Sequence, residues 1–280
     1  MTVWMITGVA GGLGKAIATA ALARGDTVAG TVRKGAELDK FESLAPGRAL
    51  GYVLDVTDEA ALHAAAADVE AKTVALGGIG VLVNNAGYGL VGAVEEASLA
   101  EARAQFDVNV FGPLAAAQAV LPAMRARRKG RIINISSVSG VATWGGTGIY
   151  CGSKHALEGI MLTMAQEVAE LGIQVINLEP GGMRTDYAGR SAIKTARQLA
   201  DYDGLARDAE RTMAAHNGHE PGDPAKIAQV VLDMADHPTP PLQLLLGKDA
   251  VFYATQKQAR SQAELGLWIG TSLSTAFAPE

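Results

Sequence analysis

Short apolar runs alternate with longer, alanine-rich segments from residue 3 to about residue 180. Near-continuous apolar runs are typical of parallel strands buried on both faces, and the longer segments are typical of the helices that join them. The runs predict strands at Val3–Thr7, Thr27–Val32, Ala49–Leu54, Val81–Asn84, Arg131–Ser136, Gln174–Glu179 and Leu242–Leu246. The longer segments predict helices at about Leu13–Arg24, Ala60–Leu76, Leu99–Arg127 and Ile149–Leu171, with a bend in the third at Gly112-Pro113. This order predicts a doubly wound α/β fold, with about seven parallel strands covered by helices on both faces.

Between Tyr187 and Pro224 the alternation fails, and charged residues and Gly or Pro turns replace it. No linker or repeat divides the chain elsewhere, so the pattern predicts one domain over residues 1–280. We expect the irregular segment, at about residues 188–225, to be a substrate-binding lid, and residues 240–280 to be a variable C-terminal segment. Within the latter, Leu265–Phe277 carries Trp268 and several Leu or Ile side chains, a composition typical of an interface or of core.

Composition excludes several classes of protein. At 49% hydrophobic and 19% charged residues, the 280-residue chain is too apolar for disorder. A net charge of −5 with scattered Lys and Arg residues argues against a nucleic-acid surface. The single cysteine, Cys151, excludes an internal disulfide, and His216 and His219 lack further ligands, so we expect no metal. Because the sequence shows neither a secretory signal nor a spanning apolar run, we expect a cytoplasmic protein outside the membrane.

A glycine-rich segment, Thr7–Gly14, joins the first predicted strand to the first predicted helix. Small residues there let backbone N–H groups approach a pyrophosphate at the positive end of the helix. The common dinucleotide spacing G-x-G-x-x-G fails, because its third position falls on Ile17 when it starts at Gly12. The segment alone is therefore consistent with a phosphate-binding loop or with an ordinary glycine turn.

The spacing of Gly8, Gly12 and Gly14 after Thr7 resembles the T-G-x-x-x-G-x-G loop of the short-chain dehydrogenase/reductase family. Because residue 11 is also glycine, the loop equally fits the T-G-x-x-G-x-x-G spacing of the longer, epimerase-like branch of that family. The resemblance implies a Rossmann-like fold and a nicotinamide cofactor. It places these loop residues against the cofactor: Thr7, Gly8, Gly12, Leu13 and Gly14.

Three further motifs resemble cofactor-binding segments of the same family, each at the end of a predicted strand. The resemblance implies that the first motif contacts the adenine, that the second packs against the cofactor and steadies the sheet, and that the third contacts the nicotinamide. The residues are Asp55 and Val56, then Asn85, Ala86 and Gly87 of an N-N-A-G string, and finally Pro180, Gly181, Met183 and Thr185 of a P-G-x-x-x-T segment. The N-N-A-G string is typical of the shorter branch rather than of the epimerase-like one.

The residues after the second predicted strand bear on which nicotinamide cofactor binds. Val32 stands where NAD-preferring relatives carry a carboxylate, and Arg33 and Lys34 follow it. A guanidinium suits bidentate contact with a 2′-phosphate. We therefore predict NADP(H), with NAD(H) as the alternative if the two cations are only solvated.

Tyr150 and Lys154 lie four residues apart, so both project from one face of the predicted helix. The string from Tyr150 to Lys154 resembles the family's Y-x-A-S-K motif with Gly in place of Ala, and Ser137 and Asn109 precede it by 13 and 41 residues. The resemblance implies a catalytic tetrad of Asn109, Ser137, Tyr150 and Lys154, of which Tyr150 and Lys154 also contact the cofactor. Tyr150 is then the general acid, Lys154 lowers its pKa, Ser137 binds the substrate oxygen and Asn109 positions a proton-carrying water.

These features predict an NADP(H)-dependent oxidoreductase that interconverts a ketone or aldehyde and an alcohol. The alternatives are a non-catalytic NADP-binding sensor and, within the family, an epimerase or dehydratase. We expect a small-molecule carbonyl or alcohol substrate of apolar or aromatic character. Its pocket is predicted to include Tyr88, Trp144, Met183 and Tyr187. The family resemblance also implies a homodimer or homotetramer.

Overall fold

A computed structural model describes residues 1–185 and 191–277, and its centre is a sheet of parallel strands. The strands of the described chain are β1 (Val3–Ile6), β2 (Thr27–Val32), β3 (Ala49–Val53), β4 (Ile79–Asn84), β5 (Gly89–Val91), β6 (Gly130–Ile135), β7 (Ile173–Pro180), β8 (Ala192–Lys194) and β9 (Gln243–Leu246). Seven of them form the central sheet in the order β3-β2-β1-β4-β6-β7-β9, with every neighbouring pair parallel. The order reverses between β1 and β4, which places a crevice at the carboxyl ends of these two strands.

Helices cover both faces of this sheet. They are α1 (Gly12–Ala23), α2 (Leu38–Glu42), α3 (Glu59–Lys72), α4 (Leu99–Phe106), α5 (Gly112–Arg127), α6 (Gly148–Val168), α7 (Leu205–His216), α8 (Pro224–Asp236) and α9 (Lys248–Leu273). Side chains of α3, α5 and α6 pack with one face of the strands, and those of α1, α2 and α8 pack with the other. The single α/β domain with seven parallel strands confirms the predicted fold class, and each predicted strand lies within two residues of the observed one.

The predicted bend in the third helix is a π-helical turn. Residues Asp107–Phe111 form this turn between α4 and α5, and it ends one residue before the predicted bend at Gly112. Gly112 packs closely, because a β-carbon there would lie 3.1 Å from the carbonyl oxygen of Val56. The turn carries Asn109 inward to a buried position.

The segment predicted to be irregular contains regular structure in its described part. Strand β8 pairs with β5 in a separate parallel pair, and α7 follows. The sequence pattern missed α7 because half of its twelve positions are polar, four of them charged, and most of its described side chains are half-buried or exposed. Tyr187 lies outside the described residues.

The C-terminal helix α9 leaves the body of the fold. Within the described part of the chain, Ala250 is the one α9 residue that is buried, and Leu267 and Trp268 are 80% and 64% exposed. The tail Leu265–Phe277, predicted to be interface or core, is therefore not core in this chain. None of the helices in the described ranges is long and apolar enough to cross a membrane.

Candidate active site

The glycine loop between β1 and α1 adopts a conformation that favours glycine. Gly8 and Gly12 have φ angles of +76° and +54°, which strain residues with a β-carbon. A β-carbon on Gly14 would lie 2.2 Å from the carbonyl oxygen of Gly8 and 2.3 Å from Nδ2 of Asn85. Leu13 turns its side chain into the core, so only its backbone faces the crevice side of the loop.

Thr7 and Asn85 lock the ends of β1 and β4 together. The Thr7 hydroxyl oxygen accepts hydrogen bonds from the backbone N–H groups of Asn85 and Ala86, each at 3.0 Å. The Asn85 amide donates in return to the carbonyl oxygens of Thr7 at 2.9 Å and Gly8 at 3.1 Å. The glycine loop and the N-N-A-G segment therefore form one rigid unit at the point where the strand order reverses.

The residues predicted to bind the adenosine end lie at the carboxyl ends of β2 and β3. Arg33 and Lys34 are exposed, and among the residues described their side chains have no hydrogen bond or ion pair. The Asp55 carboxylate accepts hydrogen bonds from the backbone and hydroxyl of Thr57, at 2.9 and 2.8 Å. Val56 packs into the core, which leaves its backbone as the part that can face a ligand.

The segment after β7 lies above the glycine loop. A β-carbon on Gly12 would lie 3.7 Å from Cβ of Thr185. Asp249, at the start of α9, accepts a hydrogen bond from the Gly182 N–H at 2.7 Å, and its carboxylate lies 2.2 Å from where a β-carbon of Gly181 would be.

The crevice therefore has glycine backbone on both sides, N–H groups at the N-terminus of α1, and the exposed cations Arg33 and Lys34 at one end. This donor set fits a dinucleotide.

Lys154 lies on α6, one turn after Tyr150, and is 6% exposed. Its Nζ donates a hydrogen bond to the carbonyl oxygen of Ile135 at 2.8 Å and lies 6.0 Å from the centre of the Tyr150 ring. Burial lowers the pKa of Lys154 to about 8, and the carboxylate of Glu158 opposes this shift. The structure therefore brings the two predicted residues together, with a readily titrated ammonium behind the phenol.

Asn109 and Gly87 lie on the other side of Lys154. The Asn109 amide donates to the carbonyl oxygen of Tyr88 at 2.9 Å and to the Ser153 hydroxyl at 3.1 Å, and its oxygen accepts from the Tyr88 N–H at 3.1 Å. A β-carbon on Gly87 would lie 3.2 Å from Oδ1 of Asn109 and 3.9 Å from Nζ of Lys154. The amide nitrogen and the amide oxygen of Asn109 therefore both hold the backbone of Tyr88, and the nitrogen also binds Ser153, next to Lys154.

Ser137 follows β6 directly, and the two neighbouring serines take other roles. The Ser137 hydroxyl oxygen accepts a hydrogen bond from the Ser139 N–H at 3.1 Å, which leaves its proton available to a ligand. Ser136 is buried, and its oxygen lies 2.9 Å from where a β-carbon of Gly140 would be. This placement is consistent with the choice of Ser137 over Ser136 and Ser139.

The loop that joins Ser137 to Tyr150 forms one wall of a cavity of about 540 Å³, and α9 forms the other. Trp144 contacts Tyr253 edge to face, with ring centres 5.2 Å apart. Lys257, Arg260 and Glu264 also line the cavity. Of the other predicted substrate residues, Tyr88 is half-buried beside Asn109, and Met183 packs against the core.

Sequence reasoning missed a group of polar residues behind Lys154, in which the exposed edge-strand residue Gln243 binds the buried Glu158 and Glu179. It also missed Asp249, which holds the turn after β7. The available signal was spacing, because Glu158 follows Lys154 by four residues on the same helix. Groups of His, Cys, Asp and Glu able to hold a metal ion do not occur in residues 1–185 and 191–277.

Strand order, crevice and glycine loop together define a doubly wound nucleotide-binding fold. The chain belongs to the short-chain dehydrogenase family of oxidoreductases, since the family model for short chain dehydrogenases matches residues 2–195. It is 37% identical over 275 residues to Oxidoreductase BOA17 of Botryotinia fuckeliana, covering 98% of this chain and 99% of that one. It is also 37% identical over 191 residues to an NADPH-dependent 3-dehydrocapnine reductase of Ornithobacterium rhinotracheale, covering 67% of each. A crystal structure of a short-chain dehydrogenase from Streptomyces avermitilis matches with a TM-score of 0.91 and 40% identity, over 99% of this chain and 100% of that chain.

Proposed function

We propose that this protein is an NADP(H)-dependent oxidoreductase that interconverts a ketone or aldehyde and an alcohol. The observation that carries the proposal is the buried Lys154 ammonium, held 2.8 Å from the Ile135 carbonyl oxygen and one helical turn from Tyr150. A positive charge in this position favours the phenolate of Tyr150, whose ordinary pKa is about 10. The phenol can then both give and take a proton near neutral pH.

The cofactor supplies the hydride that reduces the carbonyl carbon. As negative charge develops on the substrate oxygen, the hydroxyl of Ser137 donates a hydrogen bond to it, and Tyr150 transfers its proton to the same oxygen. The product is the alcohol, and the Tyr150 phenolate is held beside Lys154 until a proton returns from solvent. Asn109 is proposed to position the water on that return path, supported by its fixed place next to Gly87 and Lys154. Oxidation of an alcohol reverses each step.

The preference for NADP(H) is supported by the end of β2. Arg33 and Lys34 are exposed at the edge of the sheet where the crevice opens, and Val32 brings no carboxylate that would repel a 2′-phosphate. The 3-dehydrocapnine reductase described above is NADPH-dependent by name. NAD(H) remains the alternative cofactor.

An apolar or aromatic substrate is supported by one wall of the cavity between the Ser137–Tyr150 loop and α9, whereas Lys257, Arg260 and Glu264 make the rest of its lining polar. Trp144 and Tyr253 form its aromatic wall. The described lid, from β8 through α7, is held against the segment after β5 and is proposed to close over the substrate.

A homo-oligomer is supported by the exposed apolar side chains of α9. The helix has 26 residues and is therefore about 39 Å long. Leu265, Leu267, Trp268, Ile269 and Leu273 are between 44% and 80% exposed. Such an apolar surface is costly in water and is typical of a protein interface.

The test of catalysis is the variant Tyr150→Phe, with Tyr52→Phe as the matched control. We expect Tyr150→Phe to lose about a thousandfold or more in kcat for a panel of ketones, because a positioned acid is removed, while NADPH still binds. Tyr52→Phe, whose hydroxyl binds Asp68 of α3, should keep its kcat. If the wild type binds NADPH but turns over no member of a broad ketone and alcohol panel, the non-catalytic sensor becomes the better description.

A further inference from the structure

A row of amide side chains crosses the sheet beneath α5 and α6. The Asn84 amide donates to the backbone carbonyl of Pro113 at 3.3 Å and to Oδ1 of Asn134 at 2.9 Å. The Asn134 amide donates to Oδ1 of Asn177 at 2.9 Å. The three residues lie directly opposite one another on β4, β6 and β7, and all are at most 3% exposed. We call these three residues the amide ladder.

The amide ladder ends on a buried carboxylate of α6. The Asn177 amide donates to Oε2 of Glu158 at 2.6 Å. Gln243, which lies opposite Asn177 on β9, donates to the same Glu158 oxygen at 3.2 Å and to Oε1 of Glu179 at 2.7 Å. Two carboxyl groups, 5% and 2% exposed, are therefore bridged by one amide.

Glu158 is fixed one turn behind Lys154. The turn after Ser137 packs against it so closely that a β-carbon on Gly140 would lie 2.9 Å from Cγ of Glu158 and 3.3 Å from the Lys154 carbonyl oxygen. Burial raises the pKa of Glu158, and the hydrogen bonds that it accepts and the charge of Lys154 oppose this rise. Glu158 in turn opposes the lowering of the Lys154 pKa by burial. Ser136 also stabilises the charged form of Glu158, although its oxygen and Oε1 of Glu158 complete no well-formed hydrogen bond within the described structure.

Few other ionisable groups act on this position. Tyr150 shares α6 with Lys154, and Glu179 faces Glu158 from β7, where burial and the neighbouring Glu158 raise its pKa to about 7. His155 of α6 and Asp107 of the π-helical turn are exposed. In the described chain, the positions of β6, β9 and the turn after Ser137 that adjoin Lys154 and Glu158 carry uncharged groups: serine, amide and backbone.

We propose that Glu158 is a positioning residue, whose buried carboxylate keeps the Lys154 ammonium charged and seated against the Ile135 carbonyl. The amide ladder and Gln243 hold this carboxylate in place, and the hydrogen bonds that they donate favour its ionised form against the effect of burial. Without it, Lys154 is a buried cation that faces one carbonyl oxygen, and desolvation favours its neutral form. This inference rests on the proposed role of Lys154 in the reaction.

The experiment titrates Lys154 in the full-length, cofactor-free protein. Protein labelled with ¹³C-lysine is followed by NMR across pH, and the Lys154 signal is assigned from the variant Lys154→Arg. Glu158→Gln keeps the shape and the hydrogen bond from Asn177 but removes the charge. We expect it to lower the Lys154 pKa by about one unit, the size of effect that an adjacent opposite charge exerts. Glu167→Gln, at an exposed position of the same helix, is the matched control and should leave that pKa unchanged.

The second measurement is the pH profile of kcat/KM for ketone reduction. Because reduction needs a charged Lys154, Glu158→Gln should move the alkaline limb to lower pH by the same amount. An unchanged Lys154 pKa in Glu158→Gln would overturn the inference about Glu158. If the Lys154 pKa falls but the alkaline limb of the kcat/KM profile does not move, the inference about Glu158 is supported and the proposed role of Lys154 in the reaction is contradicted.

A second variant covers the case in which Glu158→Gln does not fold. Gln243→Met removes the donor that bridges the two carboxylates from an accessible edge strand. It should lower the Lys154 pKa in the same direction by a smaller amount, because a less stabilised carboxylate supports the ammonium less. A purely structural role of Gln243 would reduce stability and leave the Lys154 pKa in place, which would also overturn the inference.

Discussion

Arg207 of α7 forms an ion pair with Glu96, and both side chains are almost fully shielded from solvent. Glu96 also accepts hydrogen bonds from the backbone N–H groups of Ala93 at 2.8 Å and Leu199 at 2.7 Å. These contacts hold the pKa of Glu96 at about 2, the side-chain hydrogen bond from Arg207 being the largest cause. The Glu96 carboxylate therefore connects the lid to the segment after β5, where Glu95 and Glu101 also accept hydrogen bonds from lid residues.

We expect Glu96→Gln to release this part of the lid. The Arg207 guanidinium would lose its buried charged partner and keep only the exposed Asp203, 3.7 Å away, which is destabilising. Limited proteolysis within residues 191–216 should become faster and KM for the ketone should rise, with kcat less affected. The control is Glu167→Gln, which removes an exposed carboxylate of α6 that has no contact with the lid in the described structure. Equal proteolysis of Glu96→Gln and wild type would show that the ion pair does not hold the lid.

The Glu96 carboxylate should also make the stability of the lid depend on pH. Its pKa in the folded protein is depressed below the ordinary value of 4.5, so its stabilising effect is present above that value and is lost as pH falls toward about 2. Proteolysis of the lid in wild type should therefore accelerate over this window. Glu96→Gln should show a flatter response.

Two glycine substitutions should have opposite effects on stability. Gly14→Ala would place a β-carbon 2.2 Å from the Gly8 carbonyl oxygen, so the glycine loop must shift. We expect a lower Tm and at least a tenfold weaker affinity for NADPH, about 1.4 kcal/mol. Gly159→Ala, on the exposed side of α6 with no neighbour within 4 Å, should stabilise the helix by about 0.5–1 kcal/mol. Wild-type NADPH affinity in Gly14→Ala would contradict the proposed place of the cofactor.

Arg33→Ala tests the cofactor preference. Loss of a charge-assisted contact to the 2′-phosphate should weaken NADPH binding about tenfold and leave NADH binding nearly unchanged. Fluorescence titration with both cofactors measures the ratio. Lys40→Ala removes an exposed cation from the neighbouring α2 and should leave this ratio as in wild type. Equal losses for both cofactors in Arg33→Ala would refute selection by the phosphate.

Glu179 should make the fold less stable as pH rises through neutrality. Its pKa is raised from 4.5 to about 7, so the folded state holds a proton that the unfolded state releases between these values. The free energy of unfolding should fall across this window by up to about 3 kcal/mol, and Glu179→Gln should remove most of the fall. Urea denaturation at several pH values measures it. An identical slope in both proteins would show that Glu179 titrates normally.

Trp268→Asp tests the assembly through α9. A charge in the middle of an apolar interface should shift the mass measured by light scattering toward that of the monomer. Gln262→Asp, at an exposed polar position of the same helix, is the control. A monomeric wild type at micromolar concentration would contradict the proposed oligomer.

The strands of the sheet were predictable because buried parallel strands leave a direct apolar signature, as in β6 and β7. The motifs at their carboxyl ends were found by their resemblance to those of a known family, and parallel strands place those ends at one edge. Helix α7 was not predicted, because its dense charges and the turn residues after His216 outweighed the apolar positions at residues 205, 209 and 213. Glu158 was not, because its partners Asn177 and Gln243 are distant in sequence and meet it only through strand pairing.

The amide ladder also bears on how the strands align during folding. Successive side chains of a strand point to opposite faces, so a slip of one residue between β6 and β7 would move Asn134 or Asn177 to the other, apolar side of the sheet. Each amide would then lose its neighbour and be buried without a hydrogen bond, at a cost of about 1–3 kcal/mol. Apolar neighbours such as Ile133 and Ile176 tolerate misalignment far better than paired amides do. The three asparagines therefore select one strand alignment out of several that hydrophobic packing alone would accept.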